Sequence, residues 1–240
     1  QAFFEAGPMP PIQALMGPVG SGKTTTGLMR WLPMSYMLHP SSDGIRYAKA
    51  FIMRRVFKDL EGTTMKSWHQ WWPRTVGKWT GDPPVHELTV HHPADGGLIN
   101  FVAEFLALGD LRMEEAVRGR EATWAIIDEM DGMTPDGMPF LFDRLGRYHR
   151  ECGGHLRCIW GMTNAPEDDN WFCNDFIDDP KPGHKLWRQP SGLSSQAENL
   201  HNLPAGYYDT LHGDTYYRRR FVECIPGLSR GTDPVYPEFD

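Results

Sequence analysis

Short apolar runs alternate along the chain with segments of helical spacing. Residues 12–16 form the first run, which stops at a glycine and is followed by a predicted helix over residues 23–32 that ends before Pro33. Residues 48–53 form a second run, and the segment from Val56 to a tryptophan cluster again has helical spacing. This alternation of strands and helices is typical of an α/β fold.

Four further strands are predicted in the middle of the chain. Residues 86–91 and 98–103 flank a Gly-rich turn and should form a hairpin that extends the main sheet. Residues 123–128 and 156–162 are continuous apolar runs, as expected of parallel strands buried on both faces. Helical spacing over residues 137–150 between them predicts a β-α-β unit, and hence a central, mainly parallel sheet flanked by helices.

The pattern changes after residue 179. Residues 180–240 are polar and are interrupted by proline and glycine, with one predicted helix pair at residues 207–211 and 215–222. We therefore predict a core over residues 1–179 and a small C-terminal lid/linker subdomain over residues 180–240.

Composition narrows the class of protein. Hydrophobic residues make up 40% and charged residues 23% of the 240 residues, which is ordinary for a globular domain. No apolar stretch is long enough to span a bilayer, so we expect no membrane segment and no signal peptide. The cysteines, four in number, do not form a disulfide framework in a chain of this length, which favours a reducing cytoplasm.

Net charge limits the mode of nucleic-acid binding. A formal charge of −7 argues against a chain that coats nucleic acid indiscriminately. Local basic clusters nevertheless occur at Arg144, Arg147 and Arg150, three residues apart on a predicted helix, and at residues 218–220. Two interpretations stay open for each cluster: a solvated, salt-bridged surface or a contact with DNA phosphates.

The pattern GxxxxGKT directly follows the first predicted strand. Its residues are Gly17, Pro18, Val19, Gly20, Ser21, Gly22, Lys23 and Thr24, with Thr25 next in the predicted helix. Glycines let successive backbone amides point at phosphate oxygens, Lys23 neutralises the β and γ phosphates, and the Thr24 hydroxyl is a ligand for Mg²⁺. Because the strand and the helix are both present, the segment predicts a P-loop that binds a nucleoside triphosphate with Mg²⁺.

The apolar run at residues 123–128 supplies the second half of such a site. It ends at Asp128, which a buried strand would deliver to the Mg²⁺ shell at the carboxyl edge of the sheet. Glu129 follows and could polarise a water for in-line attack on the γ phosphate. Kinases with P-loops transfer to a substrate hydroxyl and need no such residue, so the adjacent acids favour hydrolysis over transfer.

Two further sites have open interpretations. Thr163 and Asn164 follow the next predicted strand and could hydrogen-bond the γ phosphate or the attacking water, or simply form a turn before Pro166. Arg118 precedes the acid-bearing strand and could stabilise charge on the transferring phosphoryl group, in its own chain or a neighbour's, or form a surface salt bridge.

Taken together, these motifs resemble the ATPase domain of the large terminase subunit, the DNA-packaging motor of tailed phages. The resemblance extends beyond the P-loop to residues 51–55 with the Trp-rich helix, residues 116–119, residues 124–129 and residues 163–166. Residues 217–222 and the closing residues 235–240 resemble the lid and the passage into a nuclease domain. The resemblance implies a P-loop NTPase of the additional-strand, catalytic-glutamate type.

The family resemblance also implies function and partners. It implies ATP hydrolysis that drives double-stranded DNA into a viral procapsid, with Arg118 as an arginine finger acting in trans and Thr163 and Asn164 coupling hydrolysis to movement. It implies a homo-oligomeric ring, commonly a pentamer, on the capsid portal in the host cytoplasm, with the small terminase subunit as a partner; an isolated domain could be monomeric. There are two alternatives: another P-loop nucleic-acid motor, of the helicase type, and a nucleotide-gated binding module.

Two departures from the family pattern limit these expectations. Many terminases carry an extra basic residue near the start of the phosphate loop, whereas residues 17–20 contain none. The nuclease domain does not follow within these 240 residues, so we expect no nuclease chemistry from this chain. For the adenine base, the sequence offers only Gln13, Phe3 and Phe4 as nearby candidates.

Overall fold

The computed structural model describes residues 1–211 and 213–227, and in them the β-strands form one mixed sheet. The strands are β1 (Ile12–Met16), β2 (Arg46–Arg54), β3 (Lys78–Gly81), β4 (Pro84–His91), β5 (Leu98–Ala107), β6 (Trp124–Asp128), β7 (Cys158–Thr163) and β8 (His184–Arg188). They are ordered β3-β4-β5-β2-β6-β7-β1-β8 across the sheet. The predicted α/β architecture and its sheet are therefore confirmed.

Parallel pairing dominates the sheet. Strands β5, β2, β6, β7, β1 and β8 pair in parallel, each with its neighbour, whereas β3, β4 and β5 form an antiparallel extension. The hairpin predicted at residues 86–91 and 98–103 is thus confirmed as β4 and β5. Since β1, β2, β6 and β7 run in the same direction, the residues that follow them meet at one carboxyl edge.

Helices cover both faces of the sheet. The α-helices are α1 (Lys23–Met29), α2 (Trp31–Ser35), α3 (Phe57–Asp59), α4 (Lys66–Trp71), α5 (Met113–Val117), α6 (Gly137–Phe142), α7 (Arg150–Gly153), α8 (Trp171–Cys173) and α9 (Thr215–Tyr217). A π-helical turn, Leu60–Met65, joins α3 to α4, and further π-helical turns extend α8 and α9 over Asn174–Asp178 and Arg218–Val222. None of the helices in the described part of the chain is long and apolar enough to cross a membrane.

The core lies on both faces of β6, as the unbroken apolar run predicted. Trp124 and Ile126 pack on one face, in a cluster with the buried Trp31 and Trp160. Ala125 and Ile127 pack on the other face, in a second cluster. Strand β6 is therefore a fully buried central strand, and it holds the residues at its carboxyl end in a fixed position.

Two helix predictions are wrong in their extent. The helix expected over residues 137–150 ends at Phe142, because Leu145 forms a β-bridge with Ala122 and Gly146 has φ 72°. The basic cluster of residues 144, 147 and 150 is therefore not carried by one helix. The helix expected over residues 23–32 ends at Met29. Pro33 does not follow a helix but lies in the first turn of α2. A proline is tolerated there because the first backbone nitrogens of a helix have no intrahelical partner.

Residues 180–211 and 213–227 combine an edge strand of the main sheet with irregular segments and short helical turns. Strand β8, which the sequence pattern did not predict, pairs with β1 in the main sheet. The predicted helix pair corresponds to a 3₁₀ turn at Tyr207–Asp209 and to α9 with the π-helical turn after it. The predicted passage at residues 235–240 lies outside the described residues. The division of the chain at residue 179 stays a prediction.

Candidate nucleotide site

The predicted phosphate loop connects β1 to α1. Its first amide, on Gly17, donates to the Thr163 carbonyl at 3.1 Å, which ties the loop to the end of β7. Gly20 and Gly22 have φ values of 74° and 79°, in the left-handed region that side chains rarely adopt. These two glycines allow the backbone to curl before α1 begins at Lys23.

Lys23 is turned back onto its own loop. Its Nζ donates to the Pro18 carbonyl at 3.2 Å. Burial lowers the pKa of Lys23, and the nearby carboxylates of Asp128, Glu129 and Asp131 oppose that shift. Burial therefore outweighs the surrounding negative charge in its effect on the pKa of Lys23.

Asp128 lies at the buried end of β6, beside the phosphate loop. Its Oδ1 is 3.5 Å from the Thr24 hydroxyl, so the structure brings together the two predicted metal-binding residues. The Oδ2 atom accepts a hydrogen bond from the Thr64 hydroxyl at 2.6 Å and one from Arg54 at 3.4 Å. These bonds to one oxygen fix the carboxylate and turn the other oxygen toward Thr24.

Glu129 has a strained backbone and a charged partner. Its φ and ψ of 55° and 62° lie in the left-handed region, which is uncommon for a residue other than glycine and is found at functional sites. The side chain is 54% exposed and its Oε1 is 2.5 Å from Nη2 of Arg54, whose own side chain is 9% exposed. Arg54 thus contacts both acids of the site.

Thr163 at the end of β7 and Asn164 after it complete the cavity. The Thr163 hydroxyl donates to Oδ1 of Asp131 at 2.5 Å, and the Asn164 Oδ1 is buried without a hydrogen-bond partner among the described residues. A cavity of about 160 Å³ collects the predicted site residues. It is lined by Lys23, Thr24, Arg54, Thr63, Ser67, Asp128, Glu129, Met162, Thr163 and Asn164.

Arg118 does not line this cavity. It directly follows α5, and its side chain is 70% exposed. Its Nη2 lies 3.5 Å from Oε1 of Glu114, a weak pair one helical turn away. Within its own chain, Arg118 is therefore a surface residue.

The C-terminal part of the described chain packs against the phosphate loop. The Gln189 side chain pairs with Ser21, accepting from its hydroxyl at 2.7 Å and donating to its carbonyl at 3.2 Å. Asn199 donates to the Gly20 carbonyl at 2.8 Å, and the Tyr208 hydroxyl donates to the Val19 carbonyl at 2.8 Å. A change in the conformation of the loop would therefore alter its contacts with this segment.

A second, more apolar cavity adjoins the first turn of α1. It has a volume of about 530 Å³ and is lined by Gln1, Phe4, Thr25, Thr26, Met29, Leu32, Trp71 and Trp72. Of the base-contact candidates, Phe4 is here and Phe3 is buried against Arg30. Gln13 is fully buried and its amide group already bonds Gly7, Pro10, Arg30 and Trp187, so it has no free group for a base.

Several residues of the site were not predicted from the sequence. Arg54 could have been predicted from the sequence, because it ends the apolar run that becomes β2. Asp128 ends β6 at the same edge of the sheet. No sequence pattern predicts Thr64 or Asp131 as site residues, since a π-helical turn and a 3₁₀ turn bring them to the site. Gln189 follows β8, which was itself not predicted.

Comparison with solved structures supports the fold. No family model matches the chain, and no curated protein matches it. The large terminase of a thermophilic bacteriophage is similar, with a TM-score of 0.63 at 12% identity over 92% of this chain and 48% of that chain. The same terminase in complex with ADP has a TM-score of 0.60 at 14% identity, over 89% of this chain and 47% of that chain.

The matched terminase structures are distant in sequence and about twice as long as this chain. A third structure, the same large terminase in complex with ATP-γ-S, has a TM-score of 0.53 at 13% identity, over 89% of this chain and 47% of that chain. The chain thus spans about half the length of the terminase structures it matches. At this identity the likeness shows the fold, and the resemblance to large terminases is confirmed at that level.

Proposed function

We propose that this chain hydrolyses ATP and uses the energy to translocate double-stranded DNA. One observation supports the proposal of hydrolysis: Lys23 and Thr24 of the predicted phosphate loop line the same cavity as Asp128 and Glu129. The loop supplies amides and a cation for phosphates, and the strand end supplies a metal ligand and a base. Binding alone would not require the second acid.

The residues of the site divide into binding and chemical roles. The backbone of residues 17–22 and the Lys23 ammonium hold the phosphates, for which Lys23 leaves the Pro18 carbonyl. Thr24 and Asp128 offer a hydroxyl and a carboxylate oxygen, hard ligands that suit Mg²⁺. When bound, Mg²⁺ neutralises charge on the β and γ phosphates.

Glu129 is the general base in this proposal. Its exposed carboxylate can accept a proton from a water beside the γ phosphate. Arg54 holds the same carboxylate in the present structure, so Glu129 must leave Arg54, at least in part, to reach that water. Arg54 thereby controls when the base is free.

Asn164 positions the attacking water. Its buried Oδ1 has no hydrogen-bond partner among the described residues, and such an acceptor is costly to leave unpaired. A water donating to this oxygen would remove that cost while lying at the wall of the cavity that Glu129 also lines. Thr163, held by Asp131, keeps the turn in place and would couple loss of the phosphate to movement.

The base of the nucleotide occupies the apolar cavity beside Thr25. This cavity adjoins the helix turn that starts at Lys23, and Phe4 and Trp72 offer ring faces for stacking. The Trp72 indole N–H is buried without a described partner and can donate to a base nitrogen. The position is supported by Thr25 and Thr26, which line the cavity and directly follow Lys23 and Thr24 in α1.

Translocation of DNA into a viral procapsid is the motor function best supported. The support is the fold shared with a phage large terminase that was solved with ADP and with ATP-γ-S. In this proposal a ring of subunits, commonly five, acts at the portal in the host cytoplasm, with double-stranded DNA and the small terminase subunit as partners. The exposed Arg118 then enters a neighbour's site as an arginine finger, and the lid/linker function belongs to the part of residues 180–240 that follows β8.

Hydrolysis and nucleotide binding by the Lys23→Ala variant test the proposed site. We expect the wild type to release phosphate from ATP, and Lys23→Ala to lose ATP binding because the phosphates lose their principal cation. Tight ATP binding by Lys23→Ala would refute this role of the loop. ATP binding by a wild type that shows no turnover, with or without double-stranded DNA, would instead favour a nucleotide-gated binding module.

A further inference from the structure

A second polar cavity opens at the opposite edge of the sheet from the nucleotide site. It has a volume of about 560 Å³ and lies where β6 and β7 begin. Arg147, Arg150 and Arg157 line it, together with the acidic residues Glu121 and Asp143. Nothing in the proposed hydrolysis uses this cavity, so its charge requires a separate explanation.

Two glycines bring the arginine-bearing segments together. A Cβ on Gly146, which has φ 72°, would lie 2.9 Å from the Gly154 carbonyl oxygen and 3.0 Å from Cβ of Arg157. A Cβ on Gly154 would lie 2.9 Å from Cγ of Arg150. Only glycine permits this close approach, so the backbone is shaped to gather arginines from three separate turns.

The same segment is fixed to the sheet by its backbone. The Ala122 amide donates to the Arg144 carbonyl at 3.1 Å, and the Arg147 amide donates to the Ala122 carbonyl at 3.4 Å. These bonds extend the sheet beyond the start of β6. The arginines therefore project from a rigid edge rather than from a flexible loop, which lowers the entropy cost of binding.

The charge at this edge is only partly balanced. Arg147 Nε lies 3.5 Å from Glu121, and the Arg157 guanidinium lies 4.6 Å from the Phe142 ring centroid. Arg150 and Arg157 form no ion pair within the described ranges, and all three arginines are exposed. In a chain of net charge −7, this is a local excess of positive charge with donors free to bind.

We propose that this arginine cavity binds the sugar-phosphate backbone of duplex DNA, which rests on the DNA-translocating function proposed above. Guanidinium groups bind phosphate oxygens through paired N–H donors, and neutralised phosphates release counterions. The edge lies away from the phosphate loop, so bound ATP would not block this cavity. An acidic protein segment is the competing partner for the same chemistry.

Salt-dependent binding to a random-sequence DNA duplex tests this surface. Arg150→Ala with Arg157→Ala removes two charges, and we expect the slope of log affinity against log salt to fall by about 2. Affinity at low salt should fall about tenfold or more. Replacement of both by lysine keeps the charges and should retain most of the affinity, which controls for loss of folding.

A matched control removes two exposed lysines elsewhere. Lys58→Ala with Lys66→Ala removes the same charge from the other edge and from α4, and it should leave the slope unchanged. An equal loss in this control, or no loss in the arginine pair, would overturn the assignment. Tighter arginine-dependent binding of a polyglutamate peptide than of the DNA duplex would also overturn it, in favour of an acidic protein partner.

The ATPase rate without DNA separates this inference from the function it rests on. Neither arginine lies near the nucleotide cavity, so the arginine pair should hydrolyse ATP at the wild-type rate in the absence of DNA. Normal basal hydrolysis with unchanged DNA binding would refute the cavity alone. Absence of hydrolysis in the wild type would instead refute the proposed motor.

Discussion

The Arg54 guanidinium lies 2.5 Å from the Glu129 carboxylate and 3.4 Å from the Asp128 carboxylate. Strand β2 pairs with β6 in parallel, so the two strands place these side chains at the same edge. One buried cation thus balances both acids that the proposed hydrolysis requires. A movement of Arg54 would therefore change the contacts of both Glu129, the proposed base, and Asp128, the proposed metal ligand.

Removal of Arg54 should destabilise the fold. Arg54→Ala leaves the buried Asp128 with its negative charge and only the Thr64 hydroxyl as its described partner on Oδ2, and breaking such a pair costs about 3 kcal/mol. Urea denaturation at neutral pH measures this loss, and Arg54→Lys should lose less because it keeps the charge. Equal stability of Arg54→Ala and the wild type would show that the contact contributes nothing.

Thr64 should tune the affinity for Mg²⁺. Thr64→Val removes the hydroxyl that holds Asp128 Oδ2 at 2.6 Å, so the carboxylate loses its orientation toward Thr24. We expect the Mg²⁺ concentration for half-maximal ATPase activity to rise about tenfold. Thr89→Val, an exposed threonine on β4, is the matched control and should not change it. An unchanged Mg²⁺ dependence in Thr64→Val would remove Thr64 from the site.

Asp131 should make stability depend on pH. Burial raises the pKa of Asp131 above its ordinary value. A raised pKa means that the folded state holds the proton more tightly, so this contribution to stability is full below the unfolded pKa and is lost as pH rises through the folded pKa. Asp131→Asn keeps an acceptor for Thr163 and carries no charge.

Unfolding free energies across pH test this sign. From about pH 4 to about pH 7.5, the stability of Asp131→Asn should increase relative to the wild type. Denaturant titrations at several pH values measure the difference. A relative stability that decreases with pH would mean that the Asp131 carboxylate is stabilised by the fold.

Arg118 should act between subunits. Its exposed side chain has no role in its own cavity, so an arginine finger requires a neighbouring copy. We expect the ATPase rate per subunit to rise with protein concentration and to fall about 1,000-fold in Arg118→Ala. Arg112→Ala, an exposed arginine at the start of α5, is the control. A flat rate that does not depend on Arg118 would favour a monomeric switch or another arginine.

Much of the sheet could be predicted because burial on both faces leaves a readable pattern. The run that became β6 ends in Asp128, and the glycine-rich loop after β1 identifies the other half of the site. The helix over residues 137–150 failed because tertiary pairing of Leu145 with Ala122 overrides helical spacing. Strand β8 lacks an apolar run because it is an edge strand of the sheet, and its residues are exposed or only half-buried.

The details of the site depend on geometry that spacing does not encode. Thr64 lies in a π-helical turn, which no sequence pattern specifies, and its hydroxyl bonds Asp128 from there. The contact of Gln189 with Ser21 joins residues that are 168 positions apart. Such contacts follow from the packed fold and could not be read from local sequence.

Single-turnover hydrolysis by Glu129→Gln tests the central claim most directly. The amide keeps the size of the side chain but cannot accept the proton, so ATP binding should persist while the rate of phosphate release falls about 100-fold or more. Binding is measured in the same samples with a fluorescent ATP analogue. Loss of hydrolysis with normal binding is the result we expect. Phosphate release at the wild-type rate would contradict the account, because the general base would then be another residue.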